Sequence, residues 1–495
     1  MSILDYILEK TEQYIAQMPK TERKRYGQFF TSKETAQFMA GLFTLDTVGP
    51  IVSILDPGSG SGILAASLIE RLQKREEIKE IQLVCYENDK NILTLLYKNL
   101  EYIRKNSIIP VKYEVRERNY ITSQKLEYNA MLGAASSQTK FDYIIGNPPY
   151  MKISKDAPEA LALPDVCYGA PNLYFLFASM SVFNLKKNGE IVYIIPRSWT
   201  SGAYFKKFRQ KFLNSCVIDH IHLFATRDKV FESEQVLQET MIFHACKKNS
   251  EQKFITITTT KNNSDFSNIT KINVPYDLVI NKNDDFVYLI TNSKEIKTLE
   301  HIRRFTATLP DIGLKMKTGL TVDFRNRSAL RDCPEEHAVP LFYANHIKNG
   351  GVEFPIGREK EYIVTKQAGL LQKNTNYLFV KRFTSKEEHR RLQCGVYISK
   401  NFPKFKKIST QNKINFICGA KELSEYVIYG LYVLFNSSLY DCYYRILNGS
   451  TQVNSTEINA MPVPFLPVIE EMGKKLLREK DMSESSCDKI LEEYI

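Results

Sequence analysis

The sequence predicts an α/β fold with a parallel sheet, followed by a second domain that is predominantly β or mixed. Four short apolar runs without helical spacing, at 51–55, 81–86, 111–115 and 141–146, indicate buried parallel strands. Segments with helical periodicity separate these runs, and such alternation is typical of a doubly wound sheet. We therefore expect functional side chains at the carboxyl ends of the strands, where open α/β sheets bind ligands.

Composition sets the broad class of protein. The 495 residues suffice for two or three domains, and 43% hydrophobic with 25% charged residues is typical of a soluble globular chain. The nine cysteines are scattered without Cys-x-x-Cys spacing, so we expect reduced thiols and no metal site. No segment resembles a signal peptide or a membrane span, which predicts a cytoplasmic location and no membrane partner.

Patterning divides the chain into five segments. Residues 1–20 carry apolar side chains on one stripe, which predicts a short amphipathic helix. Residues 248–290 are polar and rich in Asn and Lys, which favours a connection between domains. We predict, in chain order, an N-terminal helix at 1–23, a main α/β domain at 24–250, a linker at 251–294, a second domain at 295–468 and a charged helical tail at 469–495.

Two glycine-containing segments precede helices of the main domain. Gly27-Gln28-Phe29-Phe30-Thr31 leads into a helix that Thr31 or Ser32 is expected to cap. The strand at 51–55 ends in the loop Asp56-Pro57-Gly58-Ser59-Gly60-Ser61-Gly62, where glycines let the backbone approach a ligand and helix N–H groups face it. The G-x-G-x-G spacing differs from the G-x-G-x-x-G of dinucleotide folds, so a pyrophosphate ligand is disfavoured.

Polar side chains also follow the next two strands. Glu87 comes directly after the strand at 81–86, where a carboxylate suits hydrogen bonding to ribose hydroxyls. Asn88 and Asp89 come next, and either could simply cap the following helix. The strand at 111–115 is expected to end near Asn119, whose amide can both donate and accept hydrogen bonds.

The strand at 141–146 ends in Asn147-Pro148-Pro149-Tyr150, which we predict to be the catalytic segment. Two consecutive prolines have no N–H and a fixed φ, so the nearby carbonyls keep free lone pairs beside the amide oxygen of Asn147. Such a group of acceptors suits an amino group whose lone pair is delocalised, as in a nucleobase. Tyr150 offers a ring face on which a flipped base could stack.

This tetrapeptide after an apolar strand, with the glycine loop upstream, resembles the S-adenosylmethionine-dependent amino-group methyltransferases, and most closely the N6-adenine-specific DNA enzymes of type II restriction-modification systems. The resemblance implies a Rossmann-like class I methyltransferase domain at 24–250, with motifs in the γ-type order. It also implies that Asp56 faces the methionine ammonium, that Asn119 replaces an acidic residue at the cofactor's adenine ring, and that Phe231 is a second aromatic against the target base.

The resemblance implies S-adenosylmethionine as the cofactor, with Gly27 to Thr31 closing over its methionine end. The implied cofactor-binding residues are Gly27, Gln28, Phe29, Phe30, Thr31, Asp56, Gly58, Ser59, Gly60, Gly62, Glu87, Asn88, Asn119 and Asn147.

The second domain carries an uneven share of the net charge of +11. Between Lys381 and Lys413 stand ten Lys or Arg residues against two Glu, interleaved with aromatic residues. Such a run fits a phosphate-binding surface or a merely solvated face. With 315–326 and 448–457, it resembles the target-recognition domain of adenine methyltransferases, which implies double-stranded DNA as the partner. The candidate DNA-binding residues are Lys315, Lys317, Arg325, Lys381, Arg382, Lys404, Lys406 and Lys407.

Alternative functions are constrained by the same residues. C5-cytosine enzymes use a Pro-Cys nucleophile, and none of the nineteen prolines precedes a cysteine. N4-cytosine enzymes share the chemistry but more often begin the tetrapeptide with Ser, so they remain open. RNA-base and protein-glutamine methyltransferases also carry this motif, but the long basic segment after the catalytic domain disfavours them. The intact residues Asp56, Gly58, Gly60, Glu87 and Asn147 disfavour a DNA-binding protein with an inactive core.

No Pro-Asp followed by Glu-x-Lys occurs outside the methylase segments, so the sequence gives no sign of a fused nuclease. Any cognate restriction endonuclease is therefore expected to be a separate chain.

Overall fold

The computed structural model describes residues 1–17, 19, 30–45, 49–131, 140–224, 240–247, 251–263, 266–281, 286–385, 388–448 and 451–495. The chain divides into two compact units, Met1–Val287 and Tyr288–Ile495. Within the described ranges, no helix is both long enough and apolar enough to cross a membrane.

A nine-stranded sheet forms the centre of the first unit. Its strands are β1 (Ile51–Pro57), β2 (Glu80–Tyr86), β3 (Val111–Arg116), β4 (Phe141–Gly146), β5 (Leu185–Pro196), β6 (Val217–Phe224), β7 (Thr240–Cys246), β8 (Phe254–Thr260) and β9 (Thr270–Pro275). The spatial order is β3-β2-β1-β4-β5-β7-β6-β8-β9. The five strands from β3 to β5 are mutually parallel, whereas β7 pairs antiparallel with both of its neighbours. The predicted α/β fold with a parallel sheet is confirmed.

Helices cover this sheet. They are α1 (Ile3–Gln17), α2 (Lys33–Gly41), α3 (Ile63–Leu72), α4 (Lys90–Asn106), α5 (Lys125–Met131), α6 (Pro158–Ala162), α7 (Leu173–Asn184), α8 (Lys206–Ser215) and α9 (Tyr276–Val279). Apolar side chains of α1 to α4 share one core with β1, β2 and β4. Ser32 caps α2, because its side chain accepts a hydrogen bond from the Thr35 backbone N–H at 3.3 Å. This cap fixes the start of α2 directly after Thr31.

The sheet extends further along the chain than the sequence predicted. The segment predicted as a linker at 251–294 contains β8 and β9, and the boundary between the two units falls after Val287. Ile255, Ile257 and Val274 are buried, as are Thr258 and Thr260, whereas most of the remaining side chains of these two strands are polar and partly or fully exposed. An edge strand needs only one apolar face, so its composition resembles that of a polar connection.

A buried ionic cluster ties the middle strands together. The side chain of His244 on β7 lies between Glu190 on β5, at 2.7 Å, and Asp219 on β6. Glu190 also accepts hydrogen bonds from the backbone N–H and the hydroxyl of Thr44, at 2.8 and 2.7 Å. Both ring nitrogens of His244 face carboxylate oxygens, an arrangement that requires the imidazolium form. Burial alone would lower the pKa of His244, but the hydrogen bonds to Asp219 and Glu190 raise it to about 9.

The second unit combines two sheets with helices. Its strands are β10 (Leu314–Thr318), β11 (Leu330–Arg331), β12 (Val339–Phe342), β13 (Ile347–Lys348), β14 (Gly351–Val352), β15 (Tyr362–Ile363), β16 (Gln372–Lys373), β17 (Tyr377–Lys381), β18 (Cys394–Tyr397), β19 (Lys407–Thr410) and β20 (Ile414–Gly419). One sheet has the order β10-β20-β17-β18-β14-β13 and the other β11-β15-β12-β19-β16. The helices are α10 (Ser293–Ile302), α11 (Glu425–Asn436), α12 (Ser438–Leu447), α13 (Ser455–Asn459), α14 (Leu466–Glu479) and α15 (Glu484–Glu492). This mixture of strands and helices agrees with the predicted fold class, in which the second domain is predominantly β or mixed.

The predicted tail at 469–495 is an integral part of the second unit. Helix α14 crosses α11 at two glycines, one on each helix. At each glycine, the backbone of the other helix fills the space that a side chain would need. A Cβ on Gly430 would lie 1.7 Å from the carbonyl oxygen of Ile469, and one on Gly473 would lie 1.8 Å from that of Tyr426. This backbone contact between the two helices explains why Met472 on α14 is fully buried, although the sequence of α14 contains many charged residues. We call this contact the glycine crossing.

Candidate active site

The carboxyl ends of β1, β2 and β4 open onto one cavity. This follows from the parallel arrangement of these strands, which brings their ends to the same edge of the sheet. Predicted site residues that line the cavity are Phe30, Thr31, Gly58, Ser59, Gly60, Glu87, Asn88, Asn147, Pro148 and Pro149. Segments that lie up to 119 residues apart in sequence therefore form a single site.

The glycine loop after β1 adopts backbone angles that residues other than glycine rarely adopt. Gly58, Gly60 and Gly62 have φ values of 76°, 55° and 86°, which lie in the left-handed region. The backbone N–H groups of Gly58 and Ser59 donate to the carbonyl of Tyr86 at 2.9 and 3.0 Å, and so attach the loop to the end of β2. The loop is thereby held with its backbone towards the cavity.

Asp56 lies beneath this loop and is almost fully buried, with 1% of its surface exposed. Neither of its carboxylate oxygens has a hydrogen-bond partner among the described residues. Burial raises the pKa of Asp56 to about 8; the nearby backbone N–H of Ala65 opposes the rise, and the negative charge of Glu87 adds to it. An unpartnered buried carboxylate is costly unless a cation neutralises it. The site is therefore suited to a ligand that carries a positively charged group.

Glu87 is also buried but is held by backbone donors. One carboxylate oxygen accepts from the N–H of Gly60 at 2.9 Å, and the other accepts from those of Asn88 and Asp89, both at 2.8 Å. Burial raises the pKa of Glu87, and these three N–H groups oppose the rise. The side chain is therefore fixed at the cavity wall, and its remaining lone pairs can accept hydrogen bonds from ligand hydroxyls.

Asn147 connects both sides of the cavity. Its amide nitrogen donates to the hydroxyl of Thr31 at 3.2 Å, and its amide oxygen accepts from the hydroxyl of Tyr150 at 2.9 Å. The Tyr150 hydroxyl lies equally close, at 2.9 Å, to the carbonyl oxygen of Ile194 on β5. These contacts orient the Asn147 amide, so that its oxygen faces the tyrosine and its nitrogen faces the segment that leads into α2.

Comparison with known proteins identifies the family. A family model described as Eco57I restriction-modification methylase matches residues 69–231. The chain is 34% identical over 486 residues to the type II methyltransferase M.BsuBI of Bacillus subtilis, across 96% of this chain and 94% of the relative. It is 31% identical over 471 residues to the type II methyltransferase M.PstI of Providencia stuartii, across 93% and 91% of the two chains. The chain belongs to the type II restriction-modification methyltransferases.

The type II methyltransferase also has relatives of known structure. A nuclease-deletion mutant of the type ISP restriction-modification enzyme LlaGI, solved with a DNA substrate mimic, superimposes with a TM-score of 0.51 at 12% identity. The superposition covers 91% of this chain and 54% of that one, and it shows likeness of fold alone. With the family, the fold and the site in agreement, the chain is a DNA methyltransferase that uses S-adenosylmethionine.

The methyltransferase's site fits this cofactor. The glycine loop leaves open backbone in the cavity wall, and Glu87 offers acceptors for hydroxyls. Asp56 is not a lining residue, but its unpartnered carboxylate is buried beneath this loop and suits an ammonium group. Residue Phe177 on α7 also lines the cavity, although sequence reasoning did not identify it. It belongs to a continuous apolar run that indicates only a buried helix, so its position over Gly58 depends on tertiary packing. A Cβ on Gly58 would lie 3.4 Å from its ring.

Other predicted site residues of the methyltransferase are placed differently. Asn119 does not line the cavity: its amide oxygen accepts from the N–H groups of Ile121 and Thr122, and its nitrogen donates to Glu159 at 2.8 Å. This arrangement is that of a local turn cap. Gly27, Gln28 and Phe29 lie outside the described residues, and so does Phe231.

The basic run at 381–413 is less uniform than its sequence suggests. Arg391 is fully buried and donates to the carbonyl of Asn448 at 3.2 Å, and Arg390 pairs with Glu484 at 3.0 Å. Lys400 forms an ion pair with Glu425. Three cations of this run therefore stabilise the second unit. Six of the candidate DNA-binding residues are exposed: Lys315, Lys317, Arg325, Lys404, Lys406 and Lys407. The other two, Lys381 and Arg382, are half-buried.

Proposed function

We propose that this methyltransferase modifies the N6 amino group of an adenine that has been flipped out of duplex DNA, at one defined sequence. The observation that carries the proposal is the position of Asn147 and Pro148 in the same cavity wall as Glu87 and the glycine loop, beneath which Asp56 is buried. Amino acceptors and cofactor-holding groups thus share one cavity, which a methyl transfer between two bound molecules requires.

The chain's own residues have separate tasks in this proposal. S-adenosylmethionine supplies the electrophilic methyl group, and Asp56, Glu87 and the glycine loop hold it. The amide oxygen of Asn147 and the carbonyl of Pro148 accept the two N–H groups of the adenine, and this directs the nitrogen lone pair out of the ring plane. Tyr150 stacks on the base, with Phe231 as the second aromatic. Proton loss follows the transfer, so the site needs no general base.

The choice of adenine rests on Asn147 at the head of the tetrapeptide, where N4-cytosine enzymes more often have Ser. The motif order of cofactor half, catalytic half and recognition domain corresponds to the γ-type arrangement. We assign target recognition to the second unit, place the enzyme in the cytoplasm with its DNA, and expect any cognate restriction endonuclease to be a separate chain.

The test is to express the chain in a host free of DNA methylation and to sequence the genomic DNA by a method that reports modified bases. A single sequence motif with N6-methyladenine is the expected result. N4-methylcytosine would contradict the base assignment, and unmodified DNA beside methylated RNA or protein would contradict the substrate class. The matched control is Asn147→Ala, which should leave the DNA unmodified while the protein still binds S-adenosylmethionine in calorimetry.

A further inference from the structure

Eight cations of the second unit, six of them exposed, form two groups at opposite ends of β17. The first, which we call the turn group, consists of Lys317, Arg325, Lys381, Arg382 and Lys413. The second, which we call the Lys404 group, consists of Lys404, Lys406 and Lys407. Strand pairing separates them, because Lys381 at the end of β17 pairs with Ile414, whereas the N–H of Asn374, before the start of β17, donates to the carbonyl of Lys406. The seven residue steps from Asn374 to Lys381 span at most about 23 Å.

The turn group lies where the three segments predicted to recognise DNA meet. The backbone N–H of Arg382 donates to the carbonyl of Lys413 at 2.9 Å, and its guanidinium donates to the carbonyl of Asn412 at 3.0 Å. The N–H of Asn412 donates to Thr321 at 2.9 Å, and the N–H of Val453 donates to Arg382 at 2.7 Å. Residues from 315–326, 381–413 and 448–457 are thus joined at one place, and the Lys404 group lies outside it.

Two exposed phenylalanines accompany these cations. Phe324 is 62% exposed and Phe383 is 45% exposed. Each has an arginine guanidinium 5.5 Å from its ring centroid, Arg325 for the former and Arg382 for the latter. A single large exposed apolar side chain is common, but here two aromatic and arginine pairs lie on segments that meet at the turn before β20, and such pairs can stack on bases while they neutralise phosphates.

Three members of the turn group are available for phosphates. Lys317, Arg325 and Lys413 are exposed, and none of them forms an ion pair with a described acidic residue. Lys317 lies on β10, the edge strand of its sheet, where it pairs with Phe416 on β20. Their positive charges are therefore not neutralised within the described part of the unit, and they complement a polyanion.

We propose that the turn group, with Phe324 and Phe383, is the surface through which the second unit contacts duplex DNA, and that the Lys404 group makes no phosphate contact. This inference rests on the proposed function, because it assigns the DNA contact of the same enzyme. Lys317, Arg325 and Lys413 contact phosphates, and Phe383 packs against a base or sugar at the turn.

Two matched triple variants test this assignment. One carries Lys317→Gln, Arg325→Gln and Lys413→Gln, and the other carries Lys404→Gln, Lys406→Gln and Lys407→Gln. Each removes three exposed cations. Binding of the full chain to a random-sequence DNA duplex is measured over a range of salt concentrations. The turn-group triple should lower the log-log slope by up to about 2.7, or about 0.9 for each lost contact, and the Lys404-group triple should leave it unchanged.

A second pair of variants tests the aromatic contact. Phe383→Ala should weaken DNA binding roughly 5- to 100-fold, the loss expected for one stacking contact. Phe465→Ala removes another exposed phenylalanine of this unit, 61% exposed, and should leave the affinity unchanged. Thermal unfolding and binding of S-adenosylmethionine should match the wild type in all variants.

The outcomes separate this inference from the proposed function. If the wild type methylates DNA but the Lys404-group triple lowers the salt slope as much as the turn-group triple does, the inference is wrong and the proposed function stands. The same holds if the turn-group triple and Phe383→Ala bind DNA like the wild type. If the wild type neither binds nor methylates DNA, the proposed function fails, and the inference fails with it.

Discussion

The hydroxyl of Tyr150 lies 2.9 Å from the amide oxygen of Asn147, so the ring proposed to stack on the target base is hydrogen-bonded to the group proposed to accept that base's amino hydrogens. The amide oxygen has two lone pairs, and one of them can remain with the tyrosine while the other receives the base. The tyrosine therefore has two separable tasks, one for its hydroxyl and one for its ring.

Tyr150→Phe should lower the rate of methyl transfer by about tenfold or less, because it removes one hydrogen bond worth about 0.5–1.5 kcal/mol and keeps the ring. Tyr150→Ala should also weaken productive DNA binding, because a lost base stack costs about 1–3 kcal/mol. Single-turnover rates and DNA affinities of both variants provide the measurement. Equal defects in the two variants would mean that the ring does not stack on the base.

Thr31→Val should slow methyl transfer by up to about tenfold while the affinity for S-adenosylmethionine stays near that of the wild type. Valine matches threonine in shape but cannot accept the Asn147 amide hydrogen at 3.2 Å, so the amide loses one restraint. Thr31→Ser keeps the hydroxyl and should restore the rate. Calorimetry and single-turnover kinetics distinguish the roles, since weaker cofactor binding at an unchanged rate would make Thr31 only a cofactor contact.

Asp56→Asn should flatten the pH dependence of stability in the absence of cofactor. Because burial raises the pKa of Asp56 to about 8, the folded protein keeps a proton that the unfolded chain loses above about pH 4. Stability therefore falls as the pH rises from about 4 to about 8, and the variant should reduce that slope by up to one proton, about 1.4 kcal/mol per pH unit.

Urea unfolding over this pH range measures the effect of Asp56→Asn, with the exposed Asp156→Asn as the control. The same substitution should weaken S-adenosylmethionine binding, since the ammonium group loses its carboxylate. An unchanged slope would show that Asp56 is not protonated in the folded, cofactor-free protein.

His244→Gln should destabilise the protein by about 3 kcal/mol near pH 6, because it leaves the buried carboxylate of Glu190 and the partly buried one of Asp219 without their cation. With a pKa raised to about 9, His244 contributes its full stabilisation below about pH 6.5 and loses it as the pH rises through about 9. The difference between variant and wild type should therefore shrink at high pH. His220→Gln is the control, because burial lowers the pKa of His220 to about 4 and keeps it neutral throughout.

The sequence was sufficient for the features that follow from local pattern. The strand runs predict the parallel sheet, and parallel strands bring Asp56, Glu87 and Asn147 to one edge without further information. The sequence was not sufficient where the register of paired strands decides which side chains become neighbours. Glu190, Asp219 and His244 lie on three strands, and nothing in their spacing indicates that two carboxylates meet one imidazole.

Two further differences between the predicted and the observed structure also arise from contacts that the sequence does not show. The segment at 254–275 looked like a connection, because β8 is rich in Thr and the edge strand β9 has mostly exposed polar side chains. The basic run at 381–413 looked like one surface, because sequence does not show that Arg391 is buried or that Lys407 and Lys413 lie at opposite ends of a strand. In each case the missing information is which residues become neighbours through the tertiary fold.

The glycine crossing has a consequence for the order of events during synthesis. Helix α11 presents a face that only α14 can cover at backbone contact, and α14 is made some thirty residues later. Domains generally fold in the order in which they leave the ribosome. The first unit can therefore complete its sheet while the second still waits for residues 466–479. During that interval the first unit, which carries the candidate cofactor site, exists without the second unit, to which we assign target recognition, so a nascent chain is expected to bind S-adenosylmethionine before it can select a DNA site.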